Sequence, residues 1–342
     1  MIKNVALVGR FEEGNGANYL AHAFVRNGFH VEKVGIIGNK LWSDQLSLYD
    51  RIWNKFGRPV DKNNDNEKLM RIGNDKSVDL VVITKGSHIK PATIEFLLSK
   101  NKKLILWTDD NMFIPANSTG NFRKKIKLFD VIVTQKEHNI AQYYQHGAKN
   151  VLMFDKAFCE LSHRKVLSSD EKFHNDVIFI GHFEKQRADS IQYLIDNGLS
   201  VKVFGPGWSR YKKRIKNSDY IEVGTITGED YCKYITNAKI SLCFLRKLAK
   251  DSQTGRTMEI PACGGCMVAE WSHEHERLFE NSKEAMFFHN DQQLLEVVSD
   301  LLHHPNKIDE IKSKGYQRVH ADKHTFTNRI SKIISYVYEN DI

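Results

Sequence analysis

One plan runs twice along this chain, and it restricts the possible folds more than any other feature. Asn4–Val8 is a short apolar run, followed by a loop holding Gly9, Gly14 and Gly16. Ala17–Asn27 then places Leu20, Ala21, Phe24 and Val25 on one helical face, Gly28 closes it, and His30–Ile37 extends again. From Asp176 the succession returns: strand Asp176–Ile180, loop Gly181–Arg187, helix Ala188–Asn197, Gly198, strand Ser200–Phe204. Strand, glycine loop, helix, strand opens a parallel sheet wound on both faces. Two such openings predict an α/β protein of two Rossmann-like domains facing across a cleft. At 342 residues the chain exceeds one ordinary core, which agrees with two domains.

Further buried strands are expected at Asp79–Thr84, Lys103–Trp107, Asp130–Thr134 and Asn150–Phe154. In the second half they are expected at Tyr220–Val223, Ile240–Phe244 and Cys266–Ala269. Helices are expected at Glu137–His146 and Glu229–Asn237, and from Gln292 to the end with a break at His303-His304-Pro305. Asn54–Glu67 is polar and reads as a loop. Glu160–Asn175 is polar as well and reads as the linker. The expected division is residues 1–155, a linker 156–175, a second domain 176–325, and a C-terminal helix 326–342 packing back on the first domain.

Fifty Lys+Arg against 42 Asp+Glu give a net charge of +8, which suits an anionic ligand, a nucleic acid or an anionic membrane surface. Tyr211–Lys216 is a basic run, and Phe122–Phe129 sets Phe122, Ile126 and Phe129 on one face with Arg123, Lys124, Lys125 and Lys127 elsewhere. No apolar run reaches the ~20 residues of a spanning helix. The expected location is the cytoplasm, with peripheral contact at the inner membrane face.

Five scattered cysteines fit a reducing compartment. Cys263-Gly264-Gly265-Cys266 lacks a second pair at zinc spacing, and its two glycines are explained by a turn. His273-Glu274-His275 places its histidines two apart on a helix, so they point apart and are read as surface residues. No metal ligand set and no cofactor fingerprint is read; the first loop is not G-x-G-x-x-G. That loop is either a ligand's approach to the backbone or a tight turn.

Polar residues just past parallel strands are the candidates for chemistry. Asp109 and Asp110 follow one strand, where an aspartate acts as a general base or caps a helix. In Arg256–Ala269, Arg256 and Glu259 stand three apart before a glycine turn and strand, as ligand contacts or as a surface ion pair.

Arg256-Thr257-Met258-Glu259-Ile260-Pro261-Ala262-Cys263-Gly264, the acidic stretch Glu274–Glu280 and Glu284-Ala285-Met286-Phe287-Phe288 resemble the spore-maturation group of GT-B glycosyltransferases. Trp107-Thr108-Asp109-Asp110, Phe129-Asp130 and Gly147-Ala148 extend the likeness to the first half. The resemblance implies a metal-independent, hexosyltransferase-type enzyme using a nucleotide-sugar donor. The acceptor would be an envelope glycan, a glycolipid or a protein, and nucleic acid is not an expected partner.

Donor-site residues implied are Glu259 for the ribose diol and Arg256, Lys185 and Arg187 for the diphosphate, with Thr257, Gly181 and Gly264 beside them. Asp251 stands eight residues before Glu259, where related retaining enzymes carry a glutamate. An inverting reaction would take its base from the first domain: Asp109, or else Glu13 or His22, with Gly14 and Gly16 on the acceptor side. A sugar-nucleotide epimerase of the same plan and a basic nucleic-acid-binding protein are the alternative readings.

Overall fold

The computed structural model describes residues 2–36, 47–55, 59–114, 117, 119–212 and 221–342. The chain forms two compact units, Met1–Asp155 with Phe326–Ile342, and Lys156–Thr325.

In unit 1 the elements run β1 (Asn4–Arg10), α1 (Gly16–Arg26), β2 (His30–Ile36), α2 (Leu48–Lys55), α3 (Asp65–Asn74) and β3 (Leu80–Thr84). They continue with α4 (Pro91–Ser99), β4 (Lys103–Thr108), α5 (Gly120–Lys125), β5 (Val131–Thr134), α6 (Ile140–Gln145) and β6 (Val151–Met153). In unit 2 follow β7 (Val177–Ile180), α7 (Lys185–Asp196), β8 (Val201–Gly205), α8 (Ser209–Lys212), β9 (Ile221–Val223), α9 (Gly228–Asn237) and β10 (Ile240–Cys243). Next come α10 (Gly255–Ala262), β11 (Met267–Glu270), α11 (His273–Leu278), β12 (Met286–Phe288), α12 (Asp291–His303) and α13 (Pro305–Ala321). The last helix, α14 (Phe326–Glu339), returns to unit 1.

All strand pairings within the two sheets are parallel. The orders are β2-β1-β3-β4-β5-β6 in unit 1 and β12-β11-β10-β7-β8-β9 in unit 2. Helices on both faces explain why the strands are apolar at nearly every position: Val5–Val8 and Leu80–Ile83 are all 1% exposed or less.

Both sheets repeat one close approach. A Cβ on Gly35 (φ +128°) would lie 2.1 Å from the Gly9 carbonyl oxygen, and one on Gly205 (φ +142°) 2.0 Å from that of Gly181. Only glycine fits there, by backbone angle and by space. The same device closes the first two strands of each unit.

α14 packs on α1 through Tyr19 and Phe326, whose ring centroids are 5.6 Å apart, and the Asn27 amide donates to the Thr327 carbonyl at 3.0 Å. Residues 156–175, expected as a linker, lie instead inside unit 2. Phe158, His163 and Phe173 are buried there, and Phe158 bridges to Thr325. Apolar anchors every few residues tie this polar stretch down.

The expected loop Asn54–Glu67 also differs. α2 reaches Lys55, residues 56–58 lie outside the described residues, and α3 starts at Asp65 because Asp61 accepts the Asp65 and Asn66 amides at 2.8 and 2.9 Å. Ile37, Tyr220 and Lys213–Lys216 of the basic run are likewise outside the described residues.

Phe122, Ile126 and Phe129 are buried as their spacing implies. Lys125 is not on the solvated side: it is 2% exposed, and its amine donates to the Gly86 and Ile89 carbonyls at 2.5 Å each. Among the described residues no helix is long and apolar enough to cross a membrane.

Candidate active site

Winding direction reverses between β7 and β10 in unit 2 and between β1 and β3 in unit 1. In doubly wound sheets the carboxyl ends of the strands at such points hold ligands. Polar side chains gather at both.

In unit 2, α10 begins beside the end of β7. Thr254 and Thr257 form a reciprocal capping box, and Gly264, at φ +69°, ends the helix. The Arg256 Nε donates to the Ile180 carbonyl at 3.1 Å, fastening the helix start to β7. Its guanidinium lies 5.6 Å from the Tyr231 ring centroid, a cation–π contact.

Glu259, 8% exposed, accepts from the Tyr231 hydroxyl at 2.6 Å. Arg256 stands 3.6 Å and His163 3.8 Å from its carboxylate. The carboxylate folds back over the helix start, where a Cβ on Gly255 would lie 2.7 Å from Oε1. Burial alone would raise the Glu259 pKa, but Arg256, His163, the Tyr231 hydrogen bond and Lys156 outweigh it and hold it below the ordinary value. Burial, joined by the Glu259 charge, raises the Tyr231 phenol well above its usual pKa, so it stays protonated and donates. The arrangement is a buried, ionised carboxylate beside an arginine.

The remaining expected residues divide. Arg187 is buried and spans the winding reversal, donating to the His182 carbonyl at 3.1 Å and the Phe244 carbonyl at 3.5 Å. Lys185 points outward, with 84% of its side chain exposed, and pairs with Asp189 at 2.6 Å. Gly181 ends β7, and its carbonyl accepts from the Trp208 indole at 2.9 Å.

Thr257 is fully buried. Its hydroxyl accepts from the Thr254 amide at 3.0 Å and donates to His275 Nε2 at 2.9 Å. Gly264 stands at the far end of α10 from Arg256, where its job is to terminate the helix. Asp251 lies in the loop before α10, within the field of Arg187. His275, expected on the surface, is buried instead, its Nδ1 donating to the Glu270 carbonyl at 2.8 Å.

Cys263 faces Cys232, with sulfurs 3.8 Å apart, rather than Cys266, which sits in the other layer of the core. Burial pushes the Cys266 thiol up to about 12. The C-x-x-C is therefore two unrelated core thiols.

In unit 1 a cavity of about 490 Å³ opens at the reversal, between Gly9 and Arg10 at the end of β1 and Thr84 and Lys85 at the end of β3. Asp109 lines it, with Oδ1 accepting from the Trp107 indole at 2.8 Å. A Cβ on Gly16 would lie 3.2 Å from the other oxygen. The next described helix, α5, starts at Gly120 and is capped by the Thr119 hydroxyl, which accepts from the Phe122 amide at 3.0 Å.

Lys85 takes a left-handed conformation (φ 58°) and reaches both Asp110 Oδ2 and Asn117 Oδ1 at 3.0 Å. Gly14 (φ +82°) shapes the turn before α1, and Glu13 is exposed in that turn. His22 lies on α1 outside the cavity wall, its pKa lowered by burial and by Lys33. Neither Glu13 nor His22 joins Asp109 in the wall.

Asp61, Asp65 and His88 bring three possible metal-ligating atoms within 4.8 Å of one another. Asp61 holds the start of α3, and His88 Nε2 donates to Asp65 Oδ2 at 2.9 Å. Tyr231 and His163 carried no signal in the sequence, one being an aromatic on a helix and the other a histidine in a polar stretch.

The family described as glycosyl transferase-like matches residues 187–335. No curated protein sequence matches the chain. Among solved structures, HepE of Anabaena with UDP and glucose is similar over 98% of this chain and 100% of its own, with TM-score 0.65 and 10% identity. Sucrose-phosphate synthase of Thermosynechococcus elongatus is similar over 99% and 100%, with TM-score 0.65 and 10% identity. A glycosyltransferase of Rickettsia africae is similar over 99% of both chains, with TM-score 0.65 and 11% identity. At such identities the likeness is one of fold. The chain has the GT-B fold, two Rossmann-like parallel-sheet domains, and its 187–335 segment matches the glycosyl transferase-like family model.

Proposed function

We propose that this protein is a glycosyltransferase that binds a nucleotide-sugar donor in unit 2 and an acceptor in unit 1. The observation that carries this reading is the buried, ionised Glu259 beside Arg256 at the winding reversal of a glycosyl transferase-like segment. A carboxylate accepts both hydroxyls of a ribose, and an arginine opposes the charge that grows on the diphosphate as the glycosidic bond breaks.

In this reading the acceptor oxygen bonds to the anomeric carbon while the bond from that carbon to the diphosphate oxygen breaks. The electron pair leaves with the diphosphate, against Arg256. Arg187 and the backbone after Gly181 frame the same strand ends. An inverting displacement would take its base from unit 1, where Asp109 is the candidate, and a retaining one would use Asp251, eight residues before Glu259. The finer family placement, the spore-maturation group, rests on the Arg256–Gly264 motif.

UDP is the first donor nucleotide to test, since HepE is solved with UDP and with UDP-glucose. The phosphate charge is assigned to arginines, so the proposal includes no resident metal. Acceptors considered are an envelope glycan, a glycolipid or a protein; exposed Arg123, Lys124 and Lys127 suit peripheral contact with an anionic surface. Neither the epimerase nor the nucleic-acid reading is favoured by the comparisons.

The test is a thermal-shift screen with UDP, GDP, dTDP and CMP. A nucleotide at 100 times its dissociation constant adds about 2.7 kcal/mol of stability. Absence of stabilisation by every nucleotide, with folded protein, overturns the proposal.

A further inference from the structure

We infer that the unit 1 cavity receives an uncharged, polyhydroxylated acceptor, a neutral sugar, and not a phosphorylated or acidic one. This rests on the transferase reading and names the acceptor class within it.

Among the described residues the wall carries three lysine or arginine side chains, and each is matched by a carboxylate of this chain. Arg10 Nε lies 3.7 Å from Glu12, Lys62 is paired with Asp50, and Lys85 bonds Asp110 at 3.0 Å. Asp109 and Asp65 add further negative charge to the same wall. An incoming phosphate would have to displace these carboxylates while facing Asp109 and Asp65, and like charges at short range disfavour it.

Hydroxyl groups meet no such conflict. Asp109, Asp110 and Asn117 supply acceptors, Lys85 supplies a fixed donor between two of them, and Ala17, Ile36 and Met112 give apolar wall for the C–H faces of a sugar ring. A polar wall with an apolar strip suits a polyhydroxylated ring, and the cavity volume is in the range of small-molecule sites.

Lys85 is the clearest sign of construction. A non-glycine residue in the left-handed region costs about 1–3 kcal/mol unless its surroundings enforce it. Here the turn is held by the Lys85 amide donating to the Trp107 carbonyl at 2.9 Å and by Lys125 bonding the Gly86 and Ile89 carbonyls. The strained residue is the one that aims its amine between Asp110 and Asn117.

The test is saturation-transfer NMR on the full chain with maltose and methyl glucoside, set beside glucuronate, glucose 6-phosphate and inorganic phosphate. Neutral sugars should bind saturably and the anions at least about tenfold more weakly, the scale of one lost charge-assisted hydrogen bond. Lys85→Met and Asp110→Asn, both at half-exposed side chains, should each weaken the neutral sugar by about tenfold while circular dichroism and UDP binding stay as in the native protein. Equal or tighter binding of the anions overturns the inference, and so does absence of binding by both neutral sugars. The nucleotide screen on the same samples separates the two claims: nucleotide binding without sugar binding rejects the acceptor class alone, whereas no binding of UDP, GDP, dTDP or CMP rejects the transferase reading.

Discussion

Replacing Glu259 by glutamine keeps the shape of the side chain and removes its charge. Tyr231 can still donate to the amide oxygen, so the buried hydroxyl keeps a partner. Arg256, 3.6 Å away, loses its counter-charge, and a ribose diol loses a carboxylate acceptor. One charged hydrogen bond is worth about 1.5–3 kcal/mol. Taking about 2.3 kcal/mol, the UDP dissociation constant rises about 50-fold. At a UDP concentration that stabilises the native protein by about 2.7 kcal/mol, the variant would gain only about 0.65 kcal/mol. Calorimetric titration and melting of the two proteins side by side read both quantities. The substitution should also flatten the acid limb of stability. A lowered carboxyl pKa contributes stability above the unfolded value of 4.5 that is lost as pH falls through the folded one, and glutamine has no such group. Unchanged UDP affinity in Glu259→Gln would refute the assignment of Glu259 to the ribose.

Gly205→Ala puts a Cβ 2.0 Å from the Gly181 carbonyl oxygen at φ +142°, and should cost more than about 3 kcal/mol in urea unfolding or abolish soluble protein; a loss within 1 kcal/mol, about the average for any substitution, contradicts the close approach. Thr257→Val breaks the capping box and leaves His275 Nε2 without its donor, for about 1–3 kcal/mol by thermal unfolding. Burial lowers Lys125 to about 7 from 10.5. Between those values the unfolded chain holds a proton that the folded protein has lost, so stability rises with pH there, with a slope of up to about 1.4 kcal/mol per unit. Lys125→Met should remove that rise in denaturant titrations at pH 7 and 9.

The two parallel sheets were legible because buried strands are apolar throughout and each first loop opens on glycine, Gly9 and Gly181, a local signal repeated after Asn4 and Asp176. Element ends moved by a residue or two, since caps such as Thr119 and Asp61 act through side-chain geometry that spacing does not encode. Arg256 and Glu259 were visible as a pair on one helix. Their partners were not, because Tyr231 comes from another helix and His163 from a stretch whose polarity resembled a linker. Thr257 and Gly264 sat in the same motif as Glu259, and only three-dimensional contacts separate a cap and a helix stop from a ligand contact. Lys125 defeated a rule sound on average, that lysines on an amphipathic helix face water, because two carbonyls of a strained turn needed a donor.

The return of α14 to unit 1 makes unit 2 an insertion, entered at Lys156 and left at Thr325. The two ends meet: the Phe158 amide donates to the His324 carbonyl at 2.9 Å, and Phe158 and Thr325 are bridged. A module whose termini touch can be cut out as one piece or re-closed with a short loop. Unit 2 is in that sense a cassette, and expressing 156–325 alone would ask whether it binds nucleotide without the rest.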